Sequence, residues 1–162
     1  MSISEGGLEV PVVSAVVTTR NSDRTLERCL SSLRAQRGVE VESIVVDNGS
    51  SDRTLEIAHR LADVVVQRGP ERSAQRNAGV RAGRGEFVAV LDSDMILEPD
   101  VLREAVELLA RARAVAVPEI SFWDGLLGEV QALRTRLLLE RHVDRSGADL
   151  PPRGRARRGR LR

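Results

Sequence analysis

Five short apolar runs punctuate the chain, and the stretches between them repeat apolar residues at helical spacing. Val12-Val13-Ser14-Ala15-Val16-Val17-Thr18 is β-branched and reads as a buried strand. Leu26, Cys29, Leu30 and Leu33 then share one helix face, with Asn21 or Ser22 as the cap and Gly38 as the stop. A second strand over 41–47 carries Ile44-Val45-Val46, and after the loop Asn48-Gly49-Ser50-Ser51 a helix is predicted from Asp52 to Leu61. Val64-Val65-Val66 is a short third strand. Ser73 can cap a helix through Ala82, which Gly83 and Gly85 stop. Phe87 to Leu91 is the fourth strand. Pro99 suits the first turn of a helix to about Ala112, with Leu102, Ala105, Leu109 and Ala112 on one side. Val115-Ala116-Val117 is the fifth strand, and Leu126, Val130, Leu133 and Leu137 recur as a helix would space them.

Strand and helix alternate throughout, so the expected fold is α/β. It would be a three-layer sandwich with a mostly parallel, Rossmann-like sheet. In such sheets ligands bind beyond the carboxyl ends of the strands. Three polar loops fall there: Thr18-Thr19-Arg20-Asn21, Asp47-Asn48-Gly49-Ser50 and Asp92-Ser93-Asp94.

Asp92 and Asp94 are two apart, and in extended backbone they project to one side. Adjacent carboxylates repel unless they share a cation or a proton. Mg²⁺ or Mn²⁺, which prefer oxygen ligands, fit that need. The plainer reading is a turn ahead of the Pro99 helix. Asp47 ends an apolar strand, where a charge needs partners. Its carboxylate could accept from a uracil imide or a ribose hydroxyl, or could simply close an Asx turn with Gly49. Arg72, Arg76 and Asn77 lie near the start of the third helix, where the dipole favours phosphate; a solvated helix face is the ordinary alternative.

The chain has 162 residues, 41% hydrophobic and 30% charged, enough for one domain with a core. Its basic side chains are all Arg. Eight of the 25 fall in 141–162 against only Asp144 and Asp149, so 1–140 is mildly acidic and no nucleic-acid partner is expected. The Arg-rich stretch 141–162 has no apolar period and is expected to be disordered. No phosphate-loop lysine motif and no Gly-x-Gly-x-x-Gly follows the first strand, against ordinary NTPases and dinucleotide dehydrogenases. His59 and His142 have no zinc partners at ligand spacing. Cys29, the single Cys, fits a core position in a reducing compartment. No signal pattern or membrane span stands out, so the expected location is cytoplasmic.

Taken together, Ser14-Ala15-Val16-Val17-Thr18-Thr19-Arg20-Asn21, Val45-Val46-Asp47-Asn48-Gly49-Ser50-Ser51-Asp52-Arg53-Thr54, Arg76-Asn77-Ala78-Gly79 and Val90-Leu91-Asp92-Ser93-Asp94 resemble glycosyltransferase family 2. The resemblance implies a nucleotide-diphospho-sugar transferase fold and transfer, with inversion, from a UDP- or GDP-linked sugar to an acceptor. It implies that Thr18 and Arg20 line the base pocket, that Asp47 contacts base or ribose, and that Arg76 lies near diphosphate or ribose. Asp92 would face the ribose, and Asp94 would be the main ligand of Mn²⁺ or Mg²⁺. The sequence departs from the family pattern at Thr19-Arg20, where an aromatic commonly follows.

Family members continue into an acceptor half that supplies a carboxylate base, so the fold is expected to be shortened at the C-terminus. The base would come from Asp124, from Glu119 or from a partner chain. A second reading makes the chain a non-catalytic nucleotide-sugar-binding module or a truncated remnant, its Arg-rich end the product of a shifted reading frame. A third gives that end, with the Leu126–Leu137 stripe, a peripheral contact at the inner membrane face. An exposed sheet edge would also favour a homodimer.

Overall fold

The computed structural model describes residues 10–118 and 136–141. Its elements run β1 (Val12–Thr19), α1 (Leu26–Arg34), β2 (Glu40–Asp47), α2 (Thr54–Leu61), β3 (Val64–Gln67), α3 (Arg72–Ala82), β4 (Phe87–Asp92), α4 (Val101–Leu109), β5 (Ala114–Pro118) and β6 (Arg136–Arg141). The six strands form one sheet in the order β3-β2-β1-β4-β6-β5. β1 pairs in parallel with β2 and β4, and β2 with β3. β6 runs antiparallel between β4 and β5.

Alternation along the strands sorts the core into two layers. Val13, Ala15, Val17, Val45, Ala89 and Leu91 face one way and bury the apolar faces of α1, α2 and α4. Val16, Ile44, Val46 and Val88 face the other way, against α3. Helices thus cover both faces of a mostly parallel sheet, the three-layer arrangement expected from strand–helix alternation. Buried Leu26, Cys29, Leu30 and Leu33 on α1 are the positions that the helical spacing marks. Ala112, expected on the inner side of α4, is exposed, because that helix ends at Leu109.

Three local expectations need correction. Leu137 is not the end of a helix: Leu137-Leu138-Leu139 lies in β6, between β4 and β5. A short run of consecutive apolar residues suits a strand flanked on both sides, and spacing alone does not separate it from a helix. Leu126, Val130 and Leu133 lie outside the described residues. Asn21 and Ser22 do not cap α1 through their side chains; Thr25 is the N-cap residue, and the Ser22 carbonyl accepts from Thr25 and Leu26. Ser73 likewise lies inside α3, which starts at Arg72 after Glu71 with no side-chain cap.

The strand order fixes where a ligand can enter. The chain lays β1, β2 and β3 outward in one direction, then returns through α3 to place β4 on the other side of β1. The connections therefore diverge between β1 and β4, and a crevice opens at the carboxyl ends of strands where that happens.

Candidate donor site at the carboxyl edge of the sheet

The divergence point is occupied by polar groups. In register, Thr18 of β1 stands opposite Asp92 of β4 and opposite Val46 of β2, while Thr19 stands opposite Asp47. Thr18 Oγ1 donates to Asp92 Oδ1 at 3.2 Å. Arg72 Nη1 and Arg76 Nη2, one turn apart on α3, approach Asp92 Oδ2 and Oδ1 at 3.8 Å each. Those distances exceed a direct hydrogen bond, so the attraction is charge across a gap. Thr18, Arg76 and Asp92 are therefore brought together, and Arg72 joins them.

Asp47 lies on the opposite face of β2 and is fully buried. Its Oδ2 accepts from the Ser50 amide at 2.9 Å, and its Oδ1 accepts from the Ser50 hydroxyl. Gly49 takes φ 64°, the left-handed conformation that glycine adopts without a Cβ penalty. The loop does turn on Asp47, but the bond closes on Ser50, three residues on, and not on Gly49 as an Asx turn would have it; Ser50 engages both carboxylate oxygens. Arg20 is exposed beyond β1.

Asp94 sits in the turn after β4, where the Met95 amide donates to the Asp92 carbonyl at 3.2 Å. Strand geometry thus stops at Asp92, short of Asp94. Burial still alternates across it: Leu91, Ser93, Met95 and Leu97 are buried, whereas Asp94, Ile96 and Glu98 are exposed. Asp94 has no hydrogen bond or ion pair to another described residue, unlike Asp92. An exposed carboxylate beside a half-buried one is a fitting donor set for a hard divalent cation, which accepts one or two protein oxygens and completes its shell with phosphate and water. Among the described residues no group of three or more His, Cys, Asp or Glu could enclose a metal alone. Asp124 and Glu119 lie outside the described residues.

A hydrogen-bond network that the motif reading does not reveal joins the three loops. The Asn21 amide donates to Ser50 Oγ at 2.8 Å, and Asn21 Oδ1 accepts from the Ser51 amide at 2.9 Å. The Ser22 amide donates to buried Thr54 Oγ1 at 2.7 Å, and Ser93 Oγ donates to Ser22 Oγ at 2.8 Å. Asp52 accepts from the amides of Asp23 and Thr54, and the hydrogen bonding from Thr54 above all holds its carboxyl below the ordinary value. Asn21 reaches these partners with φ 51°, a conformation Asn tolerates better than most residues. The signal available in sequence was the density of Ser, Thr, Asn and Asp in the three loops. Burial pushes the Cys29 thiol up to about 12, with the carboxylates of Asp94 and Asp92 adding to it. The thiol stays neutral as part of the core beneath the site.

The family model for glycosyl transferase family 2 matches residues 14–147. The chain belongs to that family. Succinoglycan biosynthesis protein ExoO of Rhizobium meliloti (strain 1021) is 42% identical over 106 residues, covering 61% of this chain and 30% of that protein. Among solved structures, S. aureus TarS 1–349 in complex with UDP-GlcNAc matches with TM-score 0.57 and 28% identity, over 70% of this chain and 35% of that one. A mannosyltransferase from Pyrobaculum calidifontis in complex with GDP-Man and Mn²⁺ matches with TM-score 0.59 and 28% identity, over 69% and 36%. The chain spans about a third of the length of these relatives.

Among the described residues no helix is long and apolar enough to cross a membrane.

Proposed function

We propose that this chain forms the donor-binding part of a glycosyltransferase that moves a sugar, with inversion, from a UDP- or GDP-linked diphosphate to an acceptor. The observation that carries the reading is the pairing at the β1/β4 divergence point. Asp92 is held by Thr18, Arg72 and Arg76, while Asp94 stands beside it with no protein partner among the described residues. Family membership and the UDP-GlcNAc and GDP-Man complexes of the two similar structures support the substrate class.

In this reading Thr18 and Arg20 border the base, and Asp47 receives a hydrogen bond from base or ribose only where the ligand displaces Ser50, which engages both of its oxygens. Arg72 and Arg76 carry positive charge to the diphosphate, whose oxygens they reach from the first turns of α3. Asp92 orients the ribose and shares the cation site with Asp94, which is the main oxygen ligand of Mn²⁺ or Mg²⁺. A cation bound there supplies neutralisation of the charge that develops on the departing diphosphate. A carboxylate from Asp124, or from a partner chain, takes the proton of the acceptor hydroxyl.

Calorimetric titration of UDP and GDP with Mn²⁺, and then with EDTA, tests the proposal. Binding of one nucleotide should depend on the metal, and Asp94→Ala should remove that dependence while leaving the chain folded. Metal-independent affinity, or an Asp94→Ala chain that still responds to Mn²⁺, would refute the site.

A further inference from the structure

Helix α3 turns an unusual stripe towards the sheet. Arg72, Gln75, Arg76 and Gly79 follow the i, i+3, i+4, i+7 spacing of one helix face. Gly79 packs so closely that an added Cβ would overlap Val16 Cγ1 and come within 3.1 Å of Val46 Cγ2. The first turn, by contrast, has no side-chain cap, and its two arginines touch Asp92 only across 3.8 Å gaps. Something else must hold that turn in place.

Gln75 does so. It is 3% exposed, and burying a side-chain amide is unfavourable unless its donors are used. Its Nε2 donates to the Val46 carbonyl at 3.0 Å and to the Thr19 carbonyl at 3.4 Å. Those carbonyls belong to adjoining strands, immediately before Asp47 and Arg20. The Thr19 carbonyl also accepts from the Asn48 amide at 3.0 Å, so one junction ties α3 to β1 and to the turn after β2.

We propose that Gln75 is a positioning residue for the donor diphosphate: its amide pins α3 to the carboxyl ends of β1 and β2, and so sets where Arg72 and Arg76 stand. This rests on the nucleotide-sugar reading above. A phosphate contact made by an Arg depends on fork geometry, whereas contacts to the nucleoside come from the strand ends themselves. Loss of the tether therefore weakens the diphosphate part of the ligand selectively.

The test compares the nucleoside diphosphate the wild-type chain prefers with its free nucleoside, by calorimetry in Mn²⁺. With Gln75→Leu, diphosphate affinity is expected to fall about tenfold while nucleoside affinity changes by less than about twofold. A purely structural role would weaken both equally or neither, and either result overturns the inference. Gln75→Asn keeps the amide one methylene short of the carbonyls. It should fold even where Leu does not and should show the same selective loss, so a wild-type ratio in Gln75→Asn also overturns it. A wild-type chain that binds neither UDP nor GDP overturns the underlying reading instead, and this inference with it.

Discussion

Asp92→Asn should change nucleotide affinity in opposite directions with and without metal. Without ligand, the Asp92 carboxylate holds Arg72 and Arg76 at 3.8 Å each. Arg72 is 76% exposed and Arg76 is 46% exposed, so solvent screens both pairs, and each is worth about 0.2–1 kcal/mol. If an arriving diphosphate draws both arginines away, about 0.4–2 kcal/mol of pairing is lost before any phosphate contact is gained. Asparagine removes that opposing term and the repulsion between carboxylate and diphosphate, while its amide oxygen still accepts from Thr18. In EDTA the variant should therefore bind UDP or GDP about 2- to 30-fold more tightly.

In Mn²⁺ the same substitution takes an anionic partner from the cation site. The loss expected there is about 10- to 100-fold, enough to reverse the sign. Parallel calorimetric titrations of wild type and Asp92→Asn in the two conditions give all four affinities. Thermal melting serves as a fold control. Tighter binding in both conditions would remove Asp92 from the metal site. Weaker binding in both would show that the two arginines are not competed away from it, which refutes the reasoning.

Gly79→Ala should destabilise the chain, because overpacking against Val16 and Val46 costs about 1–3 kcal/mol while the helix gains about 1 kcal/mol from alanine. A urea midpoint at or above the wild-type value would contradict the close approach. Cys29, whose thiol is buried and pushed up to about 12, should react with an alkylating reagent at pH 8 only as fast as the chain unfolds. Rapid labelling of native protein would place the thiol at the surface. Thr19 Oγ1 is buried with no partner among the described residues, so Thr19→Val should be neutral or stabilising by up to about 1 kcal/mol. A clear loss in the thermal midpoint would mean that the hydroxyl is used.

Strand and helix order was legible because each buried strand is a compact apolar run and α1, α2 and α4 repeat apolar residues at i, i+3 and i+4, while α3 was marked by the glycines that follow it. The exception, β6, shows the limit. Leu137-Leu138-Leu139 carries no period of its own, and its place between β4 and β5 depends on pairings remote in sequence. The aspartates of the site were visible because a charge at the end of an apolar strand demands explanation. Gln75 was not, because a polar residue in a helix suggests solvent unless the facing surface is known. Glu42 was missed for a related reason. It interrupts an apolar strand and is 5% exposed, yet its partners Ser14 and Arg84 lie far off in the chain.

Glu42 also shows how the two ends of the sheet divide their tasks. At the amino end it accepts from Ser14 Oγ at 2.9 Å, from the Arg84 amide at 2.8 Å and from Arg84 Nε at 2.7 Å, and the Gly85 amide donates to Ser14 Oγ at 2.8 Å. The Glu42 carboxylate and the Ser14 hydroxyl are thus held by short bonds within the chain. At the carboxyl end the contacts to Asp92 from Arg72 and Arg76 are long, and Asp94 has none among the described residues. Helix α3 joins the two, with Arg84 fastened just past its last turn and Arg72 over the site at its first. Tight bonding at one end fixes the helix, and the loosely held charge at the other is what a diphosphate and a cation can rearrange. The asymmetry follows from the sequence order Arg72, Gln75, Arg76, Gly79, Gly83, Arg84, in which polar reach comes first and close packing afterwards.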